Sequence, residues 1–218
     1  MKFLVTAGPT REFIDPVRFL SNPSTGRMGF AVARAARAAG HEVVLVAGPV
    51  SLRTPKGVRR IDVVSARDML AAVEAERFDC LVATAAVADW RPARRAAKKL
   101  KKNEMDGLLR LVRNPDILKT VAAKGRRGRG SILIGFAAET GEPTAEAVRK
   151  CREKRLDLVV ANDVTAAGSG FGTATNRVAF VFPDGRIERL PLLSKTAVAH
   201  RLVKAAVLLG GGAGRVRM

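Results

Sequence analysis

The residue types and spacings suited to chemistry on a phosphorylated ligand fall in four stretches. The first is Thr6-Ala7-Gly8-Pro9-Thr10, followed later by Asn22-Pro23-Ser24-Thr25-Gly26. Small residues between an apolar run and a helical pattern let backbone N–H groups approach a phosphate, and a helix N-terminus favours its charge. Gly8, Ser24, Thr25 and Gly26 are therefore candidate phosphate-loop residues, although small residues there also serve close packing. The second stretch, Ala83-Thr84-Ala85-Ala86-Val87-Ala88-Asp89, closes an apolar run. Open parallel sheets bind ligands beyond the carboxyl ends of their strands. Asp89 could there meet a ribose hydroxyl or a magnesium ion, or only cap a turn.

The third stretch is Lys98-Lys99-Leu100-Lys101-Lys102. Its charges repel one another unless solvent or an anion screens them, and a triphosphate would supply the countercharge. The fourth is the pair Lys150 and Lys154, which share a helix face at i and i+4. Such a pair is mildly unfavourable alone and suits a polyphosphate or bulk solvent equally. His41 and His200 receive no role. Cys80 and Cys151 lack a metal-ligand spacing and read as ordinary thiols of a reducing compartment.

These residues need a frame, and the hydrophobic pattern supplies one. Short apolar runs at Lys2–Thr6, Glu42–Val46, Val58–Val64, Cys80–Ala83, Ser131–Phe136 and Leu158–Ala161 read as strands. Helical patterns alternate with them at Gly26–Ala39, at Ser65 (as cap) through Glu76, from Asn114-Pro115 toward Ala123, and at Thr144–Arg155. The alternation predicts an α/β, Rossmann-like three-layer parallel sheet with helices on both faces. Val178–Phe182 and Ile187–Leu190, flanking Pro183-Asp184-Gly185, predict a C-terminal β-hairpin extension. Ser194–Leu209 reads as the last helix and Gly210–Met218 as a flexible tail, with residues 1–209 forming one domain. Trp90–Arg113 is too basic and irregular for a core element and reads as a flap, with Leu108–Val112 a candidate strand. Lys124–Arg129 reads as a solvated basic loop.

Composition bounds the class. A chain of 218 residues with 47% hydrophobic residues buries roughly 70% of its unfolded surface and folds without metal or disulfide. It has neither a signal-peptide pattern nor an apolar run of membrane-spanning length, so a cytoplasmic protein with no membrane contact is expected. The net charge of +19 attracts anions. A nucleic-acid partner is disfavoured, because the chain has nine phenylalanines, one tryptophan, no tyrosine and no recognisable nucleic-acid motif. A nicotinamide-dependent short-chain dehydrogenase is disfavoured too, since the glycine spacing after the first strand is wrong and the acid/base tyrosine is missing.

The segments together resemble the phosphopantothenate–cysteine ligase (phosphopantothenoylcysteine synthetase) family. The resemblance is carried in order by Thr10–Asn22, Ser24–Gly29, Ala85–Trp90, Lys99–Lys102, Asn114–Leu118, Gly135–Thr140, Ala161–Val164 and Gly170–Gly172. It departs at Pro9, where the family has a second glycine; proline fixes φ and removes a backbone donor. Many bacterial relatives carry a flavin-dependent decarboxylase ahead of this domain. With the first strand at Lys2, the resemblance implies a free-standing synthetase without flavin, working with a separate phosphopantothenoylcysteine decarboxylase.

The resemblance further implies that 4′-phosphopantothenate is activated by a nucleoside triphosphate, CTP more than ATP, to an acyl-nucleotide that L-cysteine then attacks. Asn22, Lys99 and Arg18 would be catalytic. Ala83, Thr84, Ala85, Asp89, Lys99, Pro115, Asp116, Ile117, Leu118, Phe136, Lys150 and Lys154 would hold the nucleotide. Arg18, Asn22, Ala85 and Ala86 would hold phosphopantothenate, with Asn22 donating a hydrogen bond near its acyl carbonyl. Mg²⁺ would ride mainly on the triphosphate, with Asp89 a possible ligand. A homodimer using residues 161–190 is expected. A regulatory subunit that keeps the fold without the activity is the remaining alternative, and the presence of both Asn22 and Lys99 argues against it.

Overall fold

The computed structural model describes residues 1–104, 107–124, 130–141 and 144–212. The chain opens with β1 (Lys2–Ala7), whose side chains are buried on both faces from Phe3 onward, the signature of a central parallel strand. A short hairpin follows, β2 (Arg11–Phe13) and β3 (Phe19–Ser21). Gly26, at φ +77°, turns the chain into α1 (Arg27–Ala38). The small residues of α1 let it lie close on β1, and Gly29 shows the limit: a Cβ there would sit 2.5 Å from Ala7 Cβ and from Thr84 Oγ1. Next come β4 (Glu42–Ala47) and β5 (Arg59–Asp62), then α2 (Ala66–Ala75). Ser65 caps α2 in a full capping box with Asp68, as its side-chain chemistry predicts.

Beyond β6 (Cys80–Ala83), the segment read as a flap is framed by a two-stranded ribbon, β7 (Trp90–Pro92) against β8 (Leu111–Arg113). The strand therefore begins at Leu111 rather than Leu108, where it can pair with Trp90–Pro92. The helix expected from Asn114-Pro115 is α3 (Ile117–Ala123), capped by Asp116, whose carboxylate accepts from Lys119 N. Asn114 instead donates from Nδ2 to Ala88 O at 2.8 Å. The core resumes with β9 (Ile132–Glu139), α4 (Thr144–Glu153) and β10 (Leu158–Asp163). Both strands run past their purely apolar stretch, to Glu139 and Asp163. A small ribbon, β11 (Thr175–Asn176) with the later β14 (Leu193–Ser194), brackets the hairpin β12 (Val178–Val181) and β13 (Ile187–Arg189). The final helix, α5 (Lys195–Gly212), takes in Gly210–Gly212, which sequence placed in the tail. Residues 125–129 of the basic loop and 213–218 of the tail lie outside the described residues.

The central sheet has the order β13-β12-β10-β9-β6-β1-β4-β5. Its strands are parallel from β10 to β5, and the hairpin adds two antiparallel strands at one edge. α1 and α5 cover one face around Phe3, Phe30, Phe180 and Leu202. α2, α3 and α4 cover the other around Leu4, Met69, Leu81 and Leu133. This is the three-layer α/β architecture with a hairpin extension that the alternation predicted. Both cysteines lie in these cores, and burial raises both thiol pKa values, that of Cys151 to about 11.

Candidate active site

A cavity of about 750 Å³ opens at the carboxyl ends of β1, β6, β9 and β10, where a parallel sheet splays its loops to opposite faces. Its base is set by two segments fastened together. Thr84 Oγ1 donates to Thr6 O at 2.6 Å, Ala85 N donates to Thr6 Oγ1 at 3.2 Å, and Ala88 N donates to Thr10 Oγ1 at 3.0 Å. Ala86 N donates to Gly8 O at 2.9 Å. The N–H groups of Thr84, Ala85, Ala86 and Ala88 are thereby occupied, so the backbone of these four residues has only carbonyl oxygens left to offer a ligand. Pro9 fits beside it: its carbonyl fills the space a side chain at Gly48 would need, 1.8 Å from that Cβ. Phe136 and Ala137 line the same floor.

Asn22 lies on the cavity with its amide already committed. Nδ2 donates to Ala86 O at 3.1 Å and to Val87 O at 3.2 Å. The expectation that Asn22 donates to a substrate carbonyl needs correction, because the group left for the cavity is its carbonyl oxygen, an acceptor. Ser24, Thr25 and Gly26 line the wall at the start of α1. Thr25 Oγ1 donates to Phe171 O at 3.1 Å and Arg27 Nη1 to Gly172 O at 3.3 Å, which ties the 170–172 loop to that helix. Gly8 is not on the cavity wall; with φ +80° it packs against Gly48 and Val50.

The opposite wall comes from α3 and α4. Pro115, Asp116, Ile117 and Leu118 line it with Lys150 and Lys154. The two lysines, spaced so as to repel, each have a carboxylate. Lys150 Nζ is 2.5 Å from Glu139 Oε1, and Lys154 Nζ is 2.7 Å from Asp116 Oδ2. Burial works against the charge of Asp116, yet Lys119 N and Lys154 outweigh it and hold its pKa below the ordinary carboxylate value. Such ion pairs can be exchanged for phosphate oxygens at modest cost because they are partly solvated. At the rim, Asp89 is exposed, and its carboxylate has no partner among the described residues. Asn114 positions this rim, accepting from Arg91 Nη1 at 3.1 Å. Arg113 lies over the Trp90 ring at 5.2 Å.

Arg18 and Lys99 are not on the cavity wall. Arg18 Nη2 pairs with the fully buried Asp15 at 2.6 Å and donates to Leu100 O at 2.8 Å. Asp15 Oδ2 also accepts from Leu100 N at 3.2 Å. Burial opposes the charge of Asp15, but Arg18 and the N–H groups of Val17, Arg18 and Leu100 hold it well below the usual carboxylate range. The role visible for Arg18 is to clamp the backbone next to Lys99, which is itself exposed. No cluster of three or more His, Cys, Asp or Glu occurs among the described residues. A magnesium ion carried mainly by substrate phosphates needs only one protein carboxylate, and Asp89 fits that demand.

A third wall escaped the sequence reading. Lys195 and Asn176 line it with Asn162, Val164, Gly170 and Phe171. Lys195 is 6% exposed and Asn176 4%. One signal was available: a lysine at the first position of a helix opposes the macrodipole.

The fold and cavity define a Rossmann-like α/β ligand-binding domain whose site joins loops from both faces of the sheet. The chain belongs to the DNA/pantothenate metabolism flavoprotein C-terminal domain family, whose profile matches residues 1–209. It is 46% identical over 212 residues to the Coenzyme A biosynthesis bifunctional protein CoaBC of Vibrio vulnificus, covering 95% of this chain and 52% of that protein. The chain thus spans about half the length of the curated relatives it matches. The crystal structure of the C-terminal domain of a CoaBC protein superposes with a TM-score of 0.80 at 40% identity, covering 96% of each chain. A Cab2 mutant, H337A, in complex with phosphopantothenate-cysteine shares the fold, with a TM-score of 0.76 at 16% identity over 98% of this chain and 87% of that one. No helix among the described residues is long and apolar enough to cross a membrane.

Proposed function

We propose that this chain joins 4′-phosphopantothenate to L-cysteine through an acyl-nucleotide, with CTP as cosubstrate, in cytoplasmic coenzyme A biosynthesis. One observation carries the reading: a single cavity brings Asn22, Asp89, Phe136, Lys150 and Lys154 together from separate strand ends. Membership of a family that includes the matching half of a coenzyme A biosynthesis protein supports it.

In the first step a carboxylate oxygen of phosphopantothenate bonds to the α-phosphorus, and the α–β anhydride bond breaks to release pyrophosphate. An anion thereby attacks an anion, so positive charge must cover the phosphates. Lys150 and Lys154 supply it at the outer phosphates by exchanging their carboxylates. Lys99 supplies it at the α-phosphate. It lies outside the cavity wall on backbone clamped at the neighbouring Leu100, so its side chain would swing in from that fixed point when substrate binds. Bound Mg²⁺ would neutralise further phosphate charge, with Asp89 its protein ligand. Phe136 walls the base, and the carbonyl oxygens of Ala83–Ala85 accept from its exocyclic amine.

In the second step the cysteine nitrogen bonds to the acyl carbon, the nucleoside monophosphate leaves, and the nitrogen loses a proton. Asn22 orients this step through its carbonyl oxygen, while its amide fixes Ala86 and Val87. A homodimer through residues 161–190 completes the proposed assembly. The test is pyrophosphate release from phosphopantothenate with CTP, ATP, GTP and UTP, with and without cysteine. Release with CTP, then cysteine-dependent CMP, is the expected result. Release with ATP alone overturns the nucleotide assignment, and release with none overturns the function.

A further inference from the structure

The wall formed by Lys195 and Asn176 has unmet demands of two kinds. The Lys195 ammonium donates to Gly170 O at 2.9 Å and to Phe171 O at 3.2 Å. An ammonium carries three donors, so one remains. No carboxylate lies within ion-pair distance of it among the described residues. Burial, and after it the charge of Arg27, pull its pKa below the ordinary lysine value. Arg27, held on Gly172 O, adds a second cation to that side. A partner anion is therefore missing.

Asn176 shows the complementary lack. Its Nδ2 faces the Met28 thioether at 3.8 Å, while its Oδ1 is buried without any hydrogen-bond partner. An orphaned buried acceptor is costly and calls for a donor. The fold sets the two side chains side by side. Asn176 pairs with Leu193 across the antiparallel ribbon, and Lys195 N continues the ladder onto Ala174 O at 3.0 Å. Asn176 and Lys195 are thus diagonal neighbours on one face, a relation that sets Cα atoms about 7–8 Å apart. Both residues line the cavity.

A fully ionised phosphate answers the ammonium and leaves the acceptor orphaned. A neutral hydroxyl does the reverse. An α-amino acid answers both, with its carboxylate on one group and its amine N–H on the other. We propose that Lys195 and Asn176 form the subsite for the amino-acid substrate, Lys195 binding its α-carboxylate and Asn176 Oδ1 orienting its α-amine. That this amino acid is cysteine rests on the ligase reading above. The Met28 thioether then gives the substrate thiol a polarisable neighbour. Asn176 takes no proton; it directs the amine by accepting one N–H, leaving the lone pair for the acyl carbon.

The test compares cysteine with cysteamine, which keeps amine and thiol but lacks the carboxylate, in wild type, Lys195→Met, Lys195→Arg, Asn176→Leu and Asn176→Asp. Wild type should prefer cysteine in kcat/KM by about 10- to 100-fold, the range for one charged hydrogen bond. Lys195→Met should collapse that preference, and Lys195→Arg should restore most of it. Asn176→Leu should raise KM for cysteine about tenfold or more, with smaller changes in KM for phosphopantothenate and nucleotide. Asn176→Asp, whose carboxylate would supply Lys195 with the anion it lacks, should also raise KM for cysteine. Equal use of the two amines by wild type overturns the subsite, even if Lys195→Met fails to fold. A rise in KM for phosphopantothenate or nucleotide, with KM for cysteine unmoved, also overturns it and gives the wall to a phosphate. Wild type without any pyrophosphate release defeats the ligase reading instead. Calorimetry of free cysteine on wild type and Asn176→Leu then decides the subsite alone, and no difference between them overturns it.

Discussion

Arg18 and Leu100, 82 residues apart in sequence, are joined by a hydrogen bond of 2.8 Å from the guanidinium to the carbonyl. The buried partner of Arg18, Asp15, accepts from the N–H of the same leucine. Both backbone groups of Leu100 are thus held by one ion pair, and Lys99 is the adjacent residue.

Releasing this clamp should misplace Lys99 without removing it. Arg18→Gln is expected to lower phosphopantothenate-dependent pyrophosphate release by about 10²-fold, the effect of an ångström-scale misplacement. Lys99→Gln should fall at least as far. A wild-type rate in either variant, with an unchanged melting profile, contradicts the role assigned to that residue.

The Asp15 clamp also sets a pH dependence. Its folded pKa lies below its unfolded value of about 3.9, so the stability it adds is fully present above that value and is lost as pH falls through the folded pKa. The stability gap between wild type and Asp15→Asn should therefore be constant from neutral pH to about pH 5 and narrow steadily below pH 4. Urea melts at a series of pH values measure it; a gap that widens toward acid refutes the assignment.

Asn22→Asp replaces the amide that donates to Ala86 O and Val87 O with a carboxylate facing those oxygens. Pyrophosphate release should persist, while cysteine-dependent monophosphate formation falls by about 10²- to 10³-fold. Rapid-quench kinetics of the two products separate the steps. Equal loss in both would assign Asn22 to binding in general.

Gly29→Ala tests how α1 is seated. The new Cβ would meet Ala7 Cβ and Thr84 Oγ1 at 2.5 Å, an overpacking that costs about 1–3 kcal/mol. Gly211→Ala, near the end of α5 with nothing within 4 Å of its Cβ, should be neutral or mildly stabilising. Thermal melts compare the two, and equal melting temperatures would show that α1 can yield.

The sheet was legible because its strands are apolar on both faces; Phe3-Leu4-Val5 and Val43-Val44-Leu45 leave no other reading. The Ser65 cap was legible because its chemistry is local. The ribbons β2–β3 and β11–β14 were not, and of β7–β8 only the second strand was. They hold two or three residues each, such as Arg11-Glu12-Phe13, too few to show an alternation. Of the site, Asp89 came from its place at the end of an apolar run, and Asn22 and Pro115–Leu118 came from motif resemblance; the structure brings them to one cavity. The carboxylates facing Lys150 and Lys154 were invisible because Glu139 and Asp116 come from other elements. Lys195 and Asn176 were missed for the same kind of reason. Their burial arises only when α1, the 170–172 loop and α5 meet.

The most direct test of the central claim is the fate of oxygen in the first step. Phosphopantothenate labelled with oxygen-18 in its carboxylate is turned over with CTP and cysteine, and the products are read by mass spectrometry. Attack on the α-phosphorus followed by amide formation predicts one labelled oxygen in CMP and none in pyrophosphate. Label in pyrophosphate or inorganic phosphate, or unlabelled CMP beside a formed amide, would contradict the acyl-nucleotide account.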